Sequence, residues 1–302
     1  MIVGTAAARR RPPVHREHRL GAPGGPHLRL VDEGPVSAEA ALLLHGFTGC
    51  AESMEGLARE IAGLRVVRVD LPGHGGSEDP RDPERWRPAA LHRSLLAVLD
   101  ALGLPAVHLV GYSLGGRMAL DFAVHHPRRC RSVAVIGARA GFADPAERLA
   151  RREADEALAR RILEEGVPAF VDAWMALPLF RSQRRLGAAW LAAARAQRLR
   201  CRAEGLAGSL RGMGAGAQEP LHPHLPGLHV PVLVCVGEQD TRFHAPSREL
   251  VCLLPRAELA VIPRAGHAAH LENPAATGRR LQEFLARVAT ATGPHREERR
   301  TP

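Results

Sequence analysis

The stretch AVHLVGYSLGGR, residues 106–117, decides how the rest of the chain is read. Its first half is a short apolar run, the mark of a strand buried on both faces. A helical pattern follows it. Between the two lies Gly111-Tyr112-Ser113-Leu114-Gly115, a G-x-S-x-G sequence. The glycines relieve crowding at a sharp strand-to-helix turn, and the serine hydroxyl is presented at the start of the helix. Arg117, four residues after the serine, is a fixed cation that a serine hydrolase does not obviously need.

Working outward, ALLLH (41–45), LRVVRVD (64–70), SVAVIG (132–137), PVLVCVG (231–237) and ELAVIP (258–263) are further short apolar runs. Helical patterns at 52–62, 88–102, 114–126, 244–254 and 274–289 alternate with them. This alternation predicts an α/β fold with a mostly parallel sheet covered by helices on both faces. It stops between 140 and 226, where every segment has helical character. An all-helical insertion there is expected to lie as a lid across the carboxyl ends of the strands, where ligands bind in such sheets. The expected organisation is a disordered basic extension at 1–26, core at 27–139, helical lid at 140–226, core at 227–291 and a disordered tail at 292–302.

A serine hydroxyl is inert until a base takes its proton. The partners should follow in the order acid, then histidine. GEQD (237–240) ends one strand run and offers Asp240 as the acid, with Glu238 as the alternative. AGHAAH (265–270) follows the last run and offers His267 as the base, with His270 as the alternative. His45 and His74, in HG and PGHG turns, are expected to organise backbone. Two backbone N–H groups should face the developing negative charge. Leu114 supplies one, and Phe47, in the turn after ALLLHG, supplies the other.

Composition narrows the partners. All 41 basic residues are arginine, and the net charge is +9. Residues 1–26 hold five Arg against one Glu, so much of the excess sits on the terminus. The remaining arginines alternate with acids along helical stretches, which marks solvated faces. Aromatics make up 4% of the chain. They do not interleave with the basic residues as a base-stacking surface requires, so no nucleic-acid partner is expected. No apolar run approaches the ~18 residues of a membrane span, and no apolar segment near the N-terminus has the character of a secretory signal. Five cysteines without C-x-x-C spacing fit a reducing cytoplasm. No H-E-x-x-H frame or comparable metal motif occurs, so neither metal nor cofactor is expected.

With LLLHGFTG, DLPGHGGS, GYSLGG, GEQD and AGHAAHLENP in place, the chain resembles the α/β-hydrolase family from about residue 27 to 290. A narrower resemblance runs through the helical insertion. HGFTG, GYSLGGR, AFVDAWMALPLFRSQ, RAQRL, GLAGSLRGMGAGAQ and PRAGHAAHLENP are similar, in the same order, to the MenH family of 2-succinyl-6-hydroxy-2,4-cyclohexadiene-1-carboxylate synthases. That resemblance implies a lyase of menaquinone biosynthesis. Its small-molecule substrate is a cyclohexene bearing a carboxylate, a succinyl chain and an enolpyruvyl ether, from which pyruvate is expelled. The triad then serves as a base rather than as an acylating nucleophile. The resemblance assigns Arg117 to a substrate carboxylate and matches Arg151 and Arg198 to carboxylate-holding positions, with Arg152, Arg195, Arg200 and Arg202 as near competitors. It also places Tyr112, Trp174 and Phe180 in the pocket. The alternatives are a serine hydrolase of the same fold, acting on esters or C–C bonds, and a non-catalytic ligand receptor.

Overall fold

The computed structural model describes residues 15–36 and 39–291. Its strands are β1 (His15–Leu20), β2 (Leu28–Glu33), β3 (Ala40–Leu44), β4 (Arg65–Val69), β5 (Val107–Tyr112), β6 (Cys130–Ile136), β7 (Val232–Gly237) and β8 (Ala257–Ile262). They form one sheet in the order β1-β2-β4-β3-β5-β6-β7-β8. The pairs β1–β2 and β2–β4 are antiparallel, and all others are parallel.

Helices α1 (Glu55–Arg59), α2 (Pro88–Ala101) and α3 (Leu114–His125) follow β3, β4 and β5. Helices α4 (Pro145–Met175), α5 (Ala188–Arg198) and α6 (Ala203–Met213) lie between β6 and β7. Helices α7 (Thr241–Leu253), α8 (Ala269–Glu272) and α9 (Pro274–Ala291) complete the chain. The central strands are mostly apolar because helices cover both faces; the buried exceptions, His108 on β5 and Arg65 and Arg68 on β4, have polar partners. On β3, Leu42 and Leu44 pack with Leu109 and Phe122 on one face. Ala41 and Leu43 face the opposite way, packing with Leu57, Leu233 and Phe284. Burying side chains of this size contributes about 1.5–3 kcal/mol each.

Strand order places the site. From β3 the chain moves outward to β4, then returns across β3 to add β5 on the other side. The loops leaving β3 and β5 therefore diverge at the point where strand order reverses, which opens a crevice at the carboxyl ends of the strands.

The segment between β6 and β7 is helical, as its pattern predicts, but it is not continuous. Helix α4 breaks at Gly166 (φ 81°, ψ 166°), two residues before Pro168. Ala159, Ile162, Phe170 and Leu206 form a small core of their own. Helix α6 packs closely on the main body, since a Cβ at Gly208 or Gly212 would lie 2.4 or 2.3 Å from Trp86. Arg202 ties the same region down through Asp79 and the carbonyl oxygens of Gly75 and Ser77.

The start of the chain departs from expectation. Residues 15–26 belong to the fold: β1 is an ordered edge strand, paired from His15–Glu33 to Leu20–Leu28. Its sequence HREHRL carries no apolar alternation, because charge holds it in place. Arg16 Nε donates to Asp32 at 3.0 Å, and Arg29 pairs with Glu17 at 2.7 Å. Asp32 is fully buried and also receives both Nε and Nη2 of Arg65, at 2.8 and 2.9 Å. Residues 1–14 and the tail at 292–302 lie outside the described residues.

Candidate active site

Ser113 sits between β5 and α3 with φ 49° and ψ −107°, a conformation that non-glycine residues rarely adopt. Its neighbours explain how the turn fits. A Cβ at Gly115 would lie 2.2 Å from the Leu44 carbonyl oxygen, and one at Gly111 would lie 2.3 Å from that of Gly115. Only glycine permits β3, β5 and α3 to meet this closely.

His267 Nε2 lies 3.1 Å from Ser113 Oγ, and its Nδ1 lies 2.8 Å from Asp240 Oδ2. Both partners are buried, at 3% and 4% exposure. A buried carboxylate on Nδ1 holds the imidazole in the tautomer whose Nε2 can accept the serine proton. The alternatives fall elsewhere. Glu238 accepts from the backbone N–H of Arg264 at 2.8 Å. His270 is fully enclosed beside the Tyr112 ring, with centroids 4.5 Å apart, and burial pushes it down to about 3. Glu272 fixes the histidine loop, accepting from the N–H of Gly266 at 2.8 Å and of Ala268 at 3.3 Å. The sequence carried no signal for this last role.

The loop after β3 is organised by two neutral histidines. His45 Nε2 accepts from the Leu71 N–H at 2.9 Å, and its Nδ1 lies 2.7 Å from the Gly46 carbonyl. His74 Nε2 accepts from the Thr48 N–H at 3.3 Å. Burial lowers both, His74 to about 3, so neither carries charge at neutral pH. The backbone N–H groups of Phe47 and Leu114 have no acceptor among the described residues. Both residues line the same cavity as Ser113.

That cavity measures about 770 Å³. Its aromatic wall includes Phe47, Phe170, Trp174, Phe180, Phe243 and Tyr112. Phe47 meets Trp174 edge-on at 5.3 Å, Trp174 lies 5.6 Å from Phe180, and Phe243 sits 4.4 Å from the His267 ring. Tyr112, Trp174 and Phe180 were expected here. Phe170 and Phe243 were not, although each is a few residues from an expected one.

The arginines separate sharply. Arg117 is buried and lines the cavity, donating to Gln218 Oε1 at 2.7 Å and to the Met213 carbonyl at 2.8 Å. Burial without a bonded carboxylate pushes it down to about 10, so it remains a cation at neutral pH. Gln218 in turn donates to Asp121 Oδ2 at 3.3 Å. This ties a residue of the insertion to α3 through the arginine. Arg151 lines the cavity, paired with Asp155 at 2.5 Å. Arg198 does not line it. That side chain is buried near enough to Tyr112, a cavity residue, to interact with it electrostatically, and it donates to the Ala194 carbonyl one turn back at 3.0 Å; burial lowers its basicity. Among the competitors, Arg195 pairs with Asp172, Arg202 is the anchor described above, and Arg152 and Arg200 are exposed. Arg139 and Arg242 line the cavity without having been singled out. In a chain so rich in arginine, nothing local marks them.

Among the described residues, two groups of side chains hold potential metal-ligating atoms within 4.8 Å of one another, His92–Asp121–His125 and Cys50–Glu52–Asp70. Neither lines this cavity. Asp70 is already committed to the N–H groups of Ala51 and Gly76 and to Arg29. All five cysteines are free thiols, and burial pushes Cys50, Cys130 and Cys235 up to about 12. No helix among the described residues is long and apolar enough to cross a membrane.

Known proteins resemble this chain over most of its length. The family model described as alpha/beta hydrolase fold matches residues 41–274. A Bacillus subtilis protein provisionally named 2-succinyl-6-hydroxy-2,4-cyclohexadiene-1-carboxylate synthase is 37% identical over 264 residues, covering 87% of this chain and 96% of the relative. The synthase of that name from Klebsiella pneumoniae is 33% identical over 256 residues, covering 85% and 97%. The structure of MenH from S. aureus superposes with a TM-score of 0.80 at 29% identity, covering 83% of this chain and 94% of that one. The chain belongs to the α/β-hydrolase fold family and, within it, to the family of the 2-succinyl-6-hydroxy-2,4-cyclohexadiene-1-carboxylate synthases.

Proposed function

We propose that the protein eliminates pyruvate from 2-succinyl-5-enolpyruvyl-6-hydroxy-3-cyclohexene-1-carboxylate to give 2-succinyl-6-hydroxy-2,4-cyclohexadiene-1-carboxylate. The observation that carries this reading is a hydrogen-bonded Ser113–His267–Asp240 chain opening into an aromatic cavity with arginines in its wall. A neutral ester would leave the buried Arg117, which has only neutral acceptors, desolvated and without a counter-charge, which is costly. A substrate with several carboxylates supplies the counter-charges.

In this reading Asp240 orients His267, His267 draws the proton from Ser113, and Ser113 removes a ring proton. The electron pair released is delocalised onto the succinyl carbonyl, whose oxygen faces the N–H groups of Phe47 and Leu114. It then forms the second ring double bond as the C–O bond to the leaving group breaks. The departing pyruvate enolate takes up the proton held by His267 and leaves as pyruvate, which restores the neutral base. Arg117 holds a substrate carboxylate, and Arg151 lies on the same cavity wall. Helices α4–α6 act as the lid that keeps water from the carbanion.

The test follows both products. Purified protein is given the enolpyruvyl substrate, with pyruvate read by a coupled dehydrogenase and the diene by its ultraviolet absorbance. Stoichiometric release of both is expected. Brisk hydrolysis of p-nitrophenyl esters without pyruvate release would replace the lyase by a serine hydrolase, since the triad geometry serves either chemistry.

A further inference from the structure

Among the described residues five arginines line the cavity; three of them have hydrogen-bond partners within the protein, and only Arg151 and Arg161 are paired with a carboxylate. Arg117 is held by Gln218 and the Met213 carbonyl, Arg151 by Asp155 and Arg161 by Glu165. The carboxylates lining the cavity are Asp155, Glu165 and Asp240, and each already has its partner. Two arginines differ. Arg139 uses Nε to hold the Gly141 carbonyl at 3.0 Å, and its guanidinium lies 3.6 Å over the Phe142 ring. Its terminal nitrogens have no acceptor among the described residues, and the Arg242 guanidinium has none either. Burial lowers the basicity of Arg139; the nearby carboxylates of Glu249 and Glu147 oppose this without bonding to it, and repulsion from Arg242 and Arg151 adds to it.

Their position in the fold gives the pair a direction. Arg139 follows β6 by three residues, and Arg242 follows Asp240 by two, at the start of α7 after β7. Because β6 and β7 are adjacent and parallel, both arginines belong to the β6–β7 side of the cavity. The donors of Phe47 and Leu114 belong to the β3–β5 side. Arg117 is buried, whereas Arg139 is half-buried and Arg242 is exposed. A guanidinium stacked on a ring keeps its edge free for forked recognition of a carboxylate.

We propose that Arg139 and Arg242 form a carboxylate subsite on the β6–β7 side of the cavity. In the elimination described above, on which this assignment rests, the subsite takes the carboxylate of the enolpyruvyl leaving group. The succinyl carbonyl occupies the donors on the β3–β5 side. The fragment that must depart lies toward the exposed arginine, the group through which it reaches solvent.

The experiment compares wild type, Arg139→Gln, Arg242→Gln and the double variant. It reads KM for the three-carboxylate substrate, Ki for the two-carboxylate diene product, Ki for pyruvate, and thermal stabilisation by pyruvate. Each single variant is expected to raise KM by about tenfold, the loss of one charge-assisted pair. Pyruvate inhibition weakens in parallel, product Ki changes by less than about twofold, and the unliganded melting temperature holds. A product Ki that rises with KM would assign the pair to the ring or succinyl carboxylate and overturn the proposal, and so would an unchanged KM. If wild type releases no pyruvate, yet pyruvate stabilises it and not the double variant, the reaction assignment fails while the subsite stands. Equal stabilisation of both proteins by pyruvate, or of neither, overturns the subsite.

Discussion

Ser113 gives the sharpest quantitative test, because its backbone and its hydroxyl make separable contributions. At φ 49° and ψ −107° a residue with a Cβ is strained by about 1–3 kcal/mol. Replacing Ser113 by alanine removes the 3.1 Å contact with His267 and keeps the strain. Replacing it by glycine removes the same contact and relieves the strain, at a cost of about 0.4–1 kcal/mol in unfolded-chain entropy. The difference between the two variants therefore isolates the turn. We expect Ser113→Gly to be more stable than Ser113→Ala by about 1–2 kcal/mol, or roughly 2–4 °C in melting temperature for a chain of this size. Both variants should release pyruvate at background rates. The assay is guanidinium chloride unfolding followed by tryptophan fluorescence, with midpoints compared at equal slope. A glycine variant no more stable than the alanine variant would refute the idea that this elbow holds the serine against a backbone penalty.

Three further outcomes follow from the same geometry. Asp240→Asn should fold normally and lose about 10³–10⁴-fold in kcat, since an amide on Nδ1 no longer enforces the productive tautomer; near-normal kcat would show that another carboxylate serves. Gly115→Ala drives a Cβ to within 2.2 Å of the Leu44 carbonyl and should cost at least about 3 kcal/mol, read as a lower denaturant midpoint. For Asp32, burial opposes the charged form, but hydrogen bonds from Arg65 and Arg16 outweigh it and hold the carboxyl at about 2, against an ordinary 3.8. The folded value is the lower one, so the stabilisation is complete above pH 4 and is lost as pH falls from about 4 to about 2. It amounts to roughly 2 kcal/mol, and Asp32→Asn should flatten the acid limb of the stability profile.

What was legible in the sequence was whatever short-range chemistry writes into it. The parallel strands are short apolar runs because helices cover both faces, and the elbow is recognisable because only glycine fits on either side of Ser113. Asp240 and His267 were legible because each leaves a strand end through a short turn-rich loop. Strand β1 was not legible, because ion pairs to Asp32 and Glu17 take the place of an apolar face, and a charged strand resembles a solvated tail. The choice among the arginines of the insertion was not legible for a related reason: along an arginine-rich stretch Arg195, Arg198 and Arg200 look alike, and only the fold buries Arg198.

The sequence by itself therefore determined the strand–helix alternation and the strained serine turn, since each rests on neighbours a few residues apart; it named Asp240 and His267 as candidates from their own short loops, and the fold brings them to Ser113 across 127 and 154 residues. Only the tertiary structure decided which arginines remain available. Arg117, Arg139, Arg151 and Arg242 look alike along the chain. The difference lies in whether a carboxylate already neutralises the guanidinium, as Asp155 does for Arg151 one helical turn away, or only neutral acceptors reach it, as Gln218 does for Arg117 across 101 residues. Charge is fixed by residue type, but whether it is free to meet a ligand is fixed by distance, and distance is set by the fold.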